Sequence, residues 1–152
     1  MSLPRALLVS LRPHQWTKNL VVLVALAFSK HLFDGDAVLR ATAAFLAFCA
    51  LSGAVYVVND LVDRERDALH PAKRSRPIAS GALPLGAARV AAAILLAAGL
   101  LASLLLGSGF LLCALGYVVL NLAYSLGLKD VVILDVLAHR QWRIVRTFRV
   151  AE

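Results

Sequence analysis

Four long apolar runs, separated by shorter polar stretches, organise most of this sequence. They cover residues 16–33, 38–58, 87–106 and 110–128. A helix rises about 1.5 Å per residue, so about 20 residues cross the hydrocarbon core of a bilayer. Each run is long enough, or nearly so, to cross. The first is the weakest, because Lys18, Lys30 and His31 must snorkel to its ends. It also admits a signal-peptide reading, with Ala25, Leu26 and Ala27 as a cleavage site. The long basic stretch before it and the three runs after it argue for a retained span. A fifth run, 131–138, is too short to cross. The pattern predicts an all-α integral membrane bundle of about four transmembrane helices.

Composition agrees. Hydrophobic residues make up 61% of the 152 and charged residues 16%, against about 45–50% and about 25% in soluble domains. The net charge of +7 would suit nucleic acid if it were gathered on a soluble face. It lies instead between apolar runs, where it writes membrane topology, so no nucleic-acid partner is expected. The N-terminal stretch carries Arg5, Arg12 and Lys18 and no acid. Residues 59–89 carry Arg64, Arg66, Lys73, Arg74, Arg76 and Arg89. Between the first two runs, Lys30 and Arg40 are offset by Asp34 and Asp36, and the turn at Gly107, Ser108 and Gly109 has no charge. The expectation is a multi-pass protein of the inner (cytoplasmic) membrane, with the N-terminus and the 59–89 loop cytoplasmic. Cys49 and Cys113 lie inside apolar runs and read as small buried hydrophobes.

The loop after the second run carries the chemistry. If the helix continues, Asp60, Asp63 and Asp67 fall at i, i+3 and i+7, on one face, while Glu65 points elsewhere. Three carboxylates on one stripe repel and call for a cation. Carboxylate oxygens suit Mg²⁺, which binds through one or two carboxylates plus substrate phosphates. Lys73, Arg74 and Arg76 follow closely. Acids alone would repel a diphosphate, and bases alone would hold one without activating it. Together they read as a magnesium–diphosphate site. The plainer alternative is a solvated loop of mixed charge. In the fourth run Tyr117, Asn121 and Tyr124 share a face, which points to a bundle interior, a cavity or interhelical hydrogen bonds. Lys129 follows on the aspartates' side, and Asp135 should face protein or water. Trp16 reads as an interface anchor, and Lys18 and Asn19 could reach a polar cavity. Phosphate-loop, serine-elbow and zinc-protease motifs are absent from the sequence.

The order Asn59, Asp60, Asp63, Asp67, then Lys73, Arg74, Arg76, Pro77 resembles the first aspartate-rich motif of the UbiA superfamily of intramembrane prenyltransferases. The stretches at 12–19, 70–81 and 124–129 are similar to its decaprenyl-phosphate phosphoribosyltransferase branch. That resemblance implies the N-terminal half of a nine-helix bundle. It implies Mg²⁺ held by Asp60, Asp63 and Asp67 on the diphosphate of 5-phosphoribosyl diphosphate, with Asn59 in support. Lys73, Arg74 and Arg76 would bind phosphate, Lys18, Asn19, Tyr124 and Lys129 would line the cavity, and a polyprenyl phosphate would be the acceptor. The resemblance runs to about residue 137; residues 138–152 form an arginine-rich tail unlike the family. The family's second aspartate-rich motif is absent from these 152 residues. A truncated or frameshifted product would look like this, and alone it is expected to be inactive. Two rivals stay open: a prenyl diphosphate that alkylates an aromatic ring at the same aspartates, and a non-catalytic small membrane protein whose basic tail binds anionic lipid or a partner.

Overall fold

The computed structural model describes residues 1–29 and 31–128. Lys30, Lys129, Asp135 and the arginine-rich tail lie outside the described residues. The described chain is helical: α1 (Leu3–Leu11), a 3-10 helix (Pro13–Leu20), α2 (Val21–Phe28), α3 (Gly35–Val62), α4 (Arg64–Leu69), α5 (Leu85–Leu106), α6 (Ser108–Ala123) and a π-helical turn (Tyr124–Leu128). Three helical segments among the described residues are long and apolar enough to cross a membrane by themselves: Gly35–Val62, Leu85–Leu106 and Ser108–Leu126.

α3 is the central post. Asp34 caps it, its carboxylate accepting from the N–H groups of Asp36 (3.0 Å) and Ala37 (3.4 Å). α5 lies along it through small residues. Ala88, Ala92, Gly99 and Ser103 are the buried positions of α5, and they meet an α3 face that includes Ala47 and Leu51. Apolar side chains gain little by leaving lipid for protein, so close backbone approach and dispersion hold such helices together. Ser103 hides its hydroxyl by donating to the Gly99 carbonyl at 2.7 Å. α6 packs on the same post, with Ala114 and Val118 against Leu51. Phe48 stands edge-on to Phe110 and Tyr117, both with ring centroids at 5.5 Å. The outer faces of α5 and α6 expose Leu101, Leu105, Leu112 and Leu120, as lipid- or helix-facing surfaces do.

The first apolar run departs from expectation: it is not one helix. Its polar half joins the 3-10 helix and only its apolar half is α-helical. Contacts along α3 show its course. Arg12 meets Asp60, near the C-terminal end of α3, and Asn19 donates to Ser52 (3.2 Å) and Cys49 (3.4 Å), further back along it. The segment thus runs antiparallel to α3 and brings residue 12 to the same end as the 59–89 loop. At about 2.0 Å per 3-10 residue and about 1.5 Å per α residue, it covers about 28 Å, close to a hydrocarbon core. Pro13 starts the 3-10 helix. Gln15, Lys18 and Asn19 line a cavity, the setting in which irregular backbone is tolerated at membrane depth.

Candidate active site

The site lies where the C-terminal end of α3, the start of the 3-10 helix and the 70–81 loop meet. α3 stops at Val62. Asp63 (φ −86°, ψ 3°) joins it to α4 while the helical hydrogen bonds continue, Asp63 N–H to the Asn59 carbonyl (2.9 Å) and Asp67 N–H to the Asp63 carbonyl (2.8 Å). The expected stripe is therefore partly realised. Asp60 and Asp67 are buried, with side chains 3% exposed, and Asp63 is half-buried.

Three cations hold the two buried carboxylates. Arg76 Nη1 donates to Asp67 Oδ2 at 2.6 Å and to Asp60 Oδ1 at 3.2 Å, so one guanidinium bridges both aspartates. Arg12 Nη2 donates to Asp60 Oδ1 at 2.5 Å. Lys73 Nζ stands 3.8 Å from Asp67 Oδ1. Burying a carboxylate without such partners costs several kcal/mol, about 3–5 when one member of a buried pair is removed.

The loop that presents Arg76 is pinned. Ile78 and Leu83 are buried with Val57, Ala6 and Ala88 in one apolar cluster. The Ser80 N–H donates to the Arg76 carbonyl at 2.9 Å, and Gly81 takes φ +77°, a left-handed conformation that suits glycine. Arg12 is held in a different way. It ends α1 at φ 51°, ψ 61°, its N–H reaching the Val9 carbonyl at 3.2 Å. It is the one non-glycine residue at positive φ among the described residues. That conformation costs about 1–2 kcal/mol for an L-residue, a cost glycine would avoid but glycine has no guanidinium. The Arg12 guanidinium also lies 4.9 Å from the centre of the Tyr56 ring.

Tyr56 connects this cluster to a cavity of about 420 Å³ lined by Gln15, Lys18, Asn19, Val21, Val22, Phe48, Ser52, Tyr56, Tyr117 and Asn121. The volume suits a bound molecule. Lys18 and Asn19 are both part of this lining. Of the Tyr117, Asn121 and Tyr124 face, the first two line the cavity, while Tyr124 is 55% exposed and lies outside its lining. Asn59 is half-buried and accepts from Ser125 Oγ at 3.0 Å, which ties the π-helical turn to α3. Arg74 is exposed. Trp16 donates its indole N–H to the Leu11 carbonyl at 3.2 Å, closing the α1 corner. Arg12, Tyr56 and Ser125 were missed as site residues. Only Arg12 left a signal in the sequence, as a cation beside Pro13 ahead of a polar stretch.

Mg²⁺ can be tested against this donor set. No group of three His, Cys, Asp or Glu side chains among the described residues could hold a metal. Asp60 and Asp67, however, are hard oxygen donors bridged by one guanidinium, and Mg²⁺ needs only one or two carboxylates when substrate phosphates complete its shell. The residues fit that mode.

Residues 19–138 match the UbiA prenyltransferase family. This chain belongs to that family. UbiA proteins are integral membrane helical proteins, transferases by family, and the apolar post-and-neighbour packing of α3, α5 and α6 agrees. The chain is 39% identical over 139 residues to the decaprenyl-phosphate phosphoribosyltransferase of Corynebacterium glutamicum, covering 89% of this chain and 42% of that protein. The protein of the same name from Mycolicibacterium smegmatis is 37% identical over 139 residues, 89% of this chain and 44% of the relative. A Sinorhizobium fredii protein called uncharacterized protein y4nM is 43% identical over 129 residues, 85% of this chain and 25% of the relative. The chain thus spans less than half the length of these relatives.

Proposed function

We propose that this UbiA chain forms the donor-diphosphate half of a membrane transferase that moves 5-phosphoribosyl from phosphoribosyl diphosphate to a polyprenyl phosphate. The observation that carries the reading is the pair of buried carboxylates, Asp60 and Asp67, bridged by Arg76 and flanked by Arg12 and Lys73 beside a 420 Å³ cavity. Two relatives named as decaprenyl-phosphate phosphoribosyltransferases support the choice of donor and acceptor.

Asp60 and Asp67 would hold Mg²⁺, with Asp63 next to them in the chain, and Asn59 would steady that end of α3. Bound there, the ion would supply Lewis-acid stabilisation of the departing diphosphate. The chain's own residues do the rest. Lys73, Arg74 and Arg76 neutralise phosphate oxygens, and Arg can grip them bidentately. Lys18 and Asn19, on the cavity wall, offer a cation and an amide to the acceptor phosphate. Apolar walls at Val21, Val22 and Phe48 exclude water and keep these hydrogen bonds strong. As the leaving group departs, positive charge develops at the anomeric carbon, and the lipid phosphate attacks it. The 152 residues alone are expected to bind the donor diphosphate rather than turn it over, because they span less than half the length of the relatives that support this reading.

A chimera tests the donor. This chain, joined to the remaining length of the Corynebacterium relative, is expected to consume phosphoribosyl diphosphate with a polyprenyl phosphate in Mg²⁺ and to stop when the metal is chelated. Consumption of a prenyl diphosphate with an aromatic acid, and none of the sugar donor, would replace this reading with the aromatic prenyltransferase.

The proposed orientation puts the N-terminus and the 59–89 loop in the cytoplasm, in the inner membrane, as the loop charges require. Cys113 is exposed and Cys49 buried, so single cysteines at Ser75 and Ser108 belong in a Cys113→Ser background. Label that cannot cross the membrane is expected at position 75 from the cytoplasmic side and at 108 from the other. Labelling of both from one side would overturn the orientation.

A further inference from the structure

Asp60 Oδ1 accepts from two guanidiniums at once, Arg12 at 2.5 Å and Arg76 at 3.2 Å. Both bonds fall on the same oxygen, so a divalent cation arriving at Asp60 meets two guanidinium charges beside it and binds better once one of them leaves. The surroundings show which partner can leave. Arg76 also holds Asp67 and sits on the pinned loop. Arg12 pairs with Asp60 and is not bonded to Asp67 among the described residues, and its guanidinium rests on the Tyr56 ring, which is itself part of the cavity wall.

We propose that Arg12 is a phosphate-binding residue of the donor site, that it competes with the divalent cation for Asp60, and that it passes to the donor's diphosphate when the metal takes the carboxylate. The proposal rests on the magnesium–diphosphate reading above. Its chemistry is an exchange of partners: the Arg12–Asp60 pair breaks, and Arg12 pairs with phosphate oxygen. A planar guanidinium can move across an aromatic face while cation–π attraction holds it. Tyr56 therefore serves as a platform between Asp60 and the cavity. The exchange makes metal and donor binding interdependent, since metal entering without diphosphate strands the Arg12 charge.

The proposal has a signature that a structural role lacks: substitution moves two affinities in opposite directions. The experiment uses the 152-residue chain in detergent micelles, Mn²⁺ as a spectroscopic stand-in for Mg²⁺, and inorganic diphosphate as the probe. Arg12→Gln is expected to tighten Mn²⁺ binding without diphosphate by about threefold or more, because a competitor is gone. The same variant should weaken diphosphate binding in saturating Mn²⁺ by about tenfold or more, because a charged hydrogen bond is lost. Arg12→Lys keeps the charge without the fork, and should hold Mn²⁺ affinity near the unsubstituted value while recovering part of the diphosphate affinity. Affinities that stay unchanged in Arg12→Gln, or that weaken together in both variants with a loss of helix content, would overturn the exchange. Asp60→Asn separates the two levels. If Asp60→Asn loses Mn²⁺ while Arg12→Gln behaves as the unsubstituted chain, the metal site stands and Arg12 has no part in it. If the unsubstituted chain binds neither probe, the diphosphate reading falls and the exchange with it.

Discussion

Asp60→Asn is expected to take turnover in the chimera to background, a fall of about a thousandfold, while the helices stay inserted and folded. The substitution is nearly isosteric, so packing around the buried side chain is preserved. What changes is charge. Asn offers a neutral oxygen where Arg12 and Arg76 now meet a carboxylate, and it is a poor ligand for a hard cation. Losing metal stabilisation of the leaving group removes ~4 kcal/mol from the transition state, which is three decades of rate. The measurement is donor consumption beside a circular-dichroism and membrane-fractionation control. Activity within tenfold of the unsubstituted chimera, with the protein properly inserted, would remove Asp60 from the chemistry. Loss of insertion would instead identify the Arg12–Asp60–Arg76 cluster as a folding element.

Gly99→Leu is expected to produce the largest loss of stability of any single change in the helix core. A Cβ at position 99 would lie 2.7 Å from Leu51 Cγ and Cδ2, and 3.2 Å from the Ala47 carbonyl oxygen. Leu51 is fully buried, so it has little room to turn away, and the Ala47 backbone belongs to α3 itself. Overpacking usually costs about 1–3 kcal/mol. A leucine here exceeds that range, because the two helices must separate along their contact. Thermal unfolding in detergent, followed by helix signal, is expected to shift down by well over 5 °C, since 1 kcal/mol moves a domain of this size by about 4 °C. Gly116→Leu is the matched control, because nothing lies within 4 Å of a Cβ built there. Equal stability of the two variants would contradict the close α3–α5 approach.

The three long helices were legible because uninterrupted apolar runs of spanning length have few other homes. The 3-10 helix was not legible. Residues 16–33 read as a weak span, and Lys18 was assigned to its end, whereas it lines a cavity that tertiary contact creates. The same gap explains Tyr124. It keeps helical geometry, its N–H still reaching the Leu120 carbonyl, but it lies past the end of the cavity that Tyr117 and Asn121 line. The aspartate spacing put Asp60 and Asp67 on one face, and the two carboxylates do meet at Arg76 because an i, i+7 pair survives the junction at Asp63. Arg12 was counted among the topology charges; its partner lies 48 residues away, a separation that no local pattern reports.

The stretched winding of Pro13–Leu20 also fixes a length. Its eight residues reach about 4 Å farther than an α-helix of the same residues would. Two contacts tie it to α3, Arg12 on Asp60 at one end and Asn19 on Ser52 near the other. Gln15 and Lys18, on the cavity wall, lie between those two contacts in the chain. The two ends of the site are thus joined by one short helical element, with Arg12 just ahead of it and Asn19 near its end.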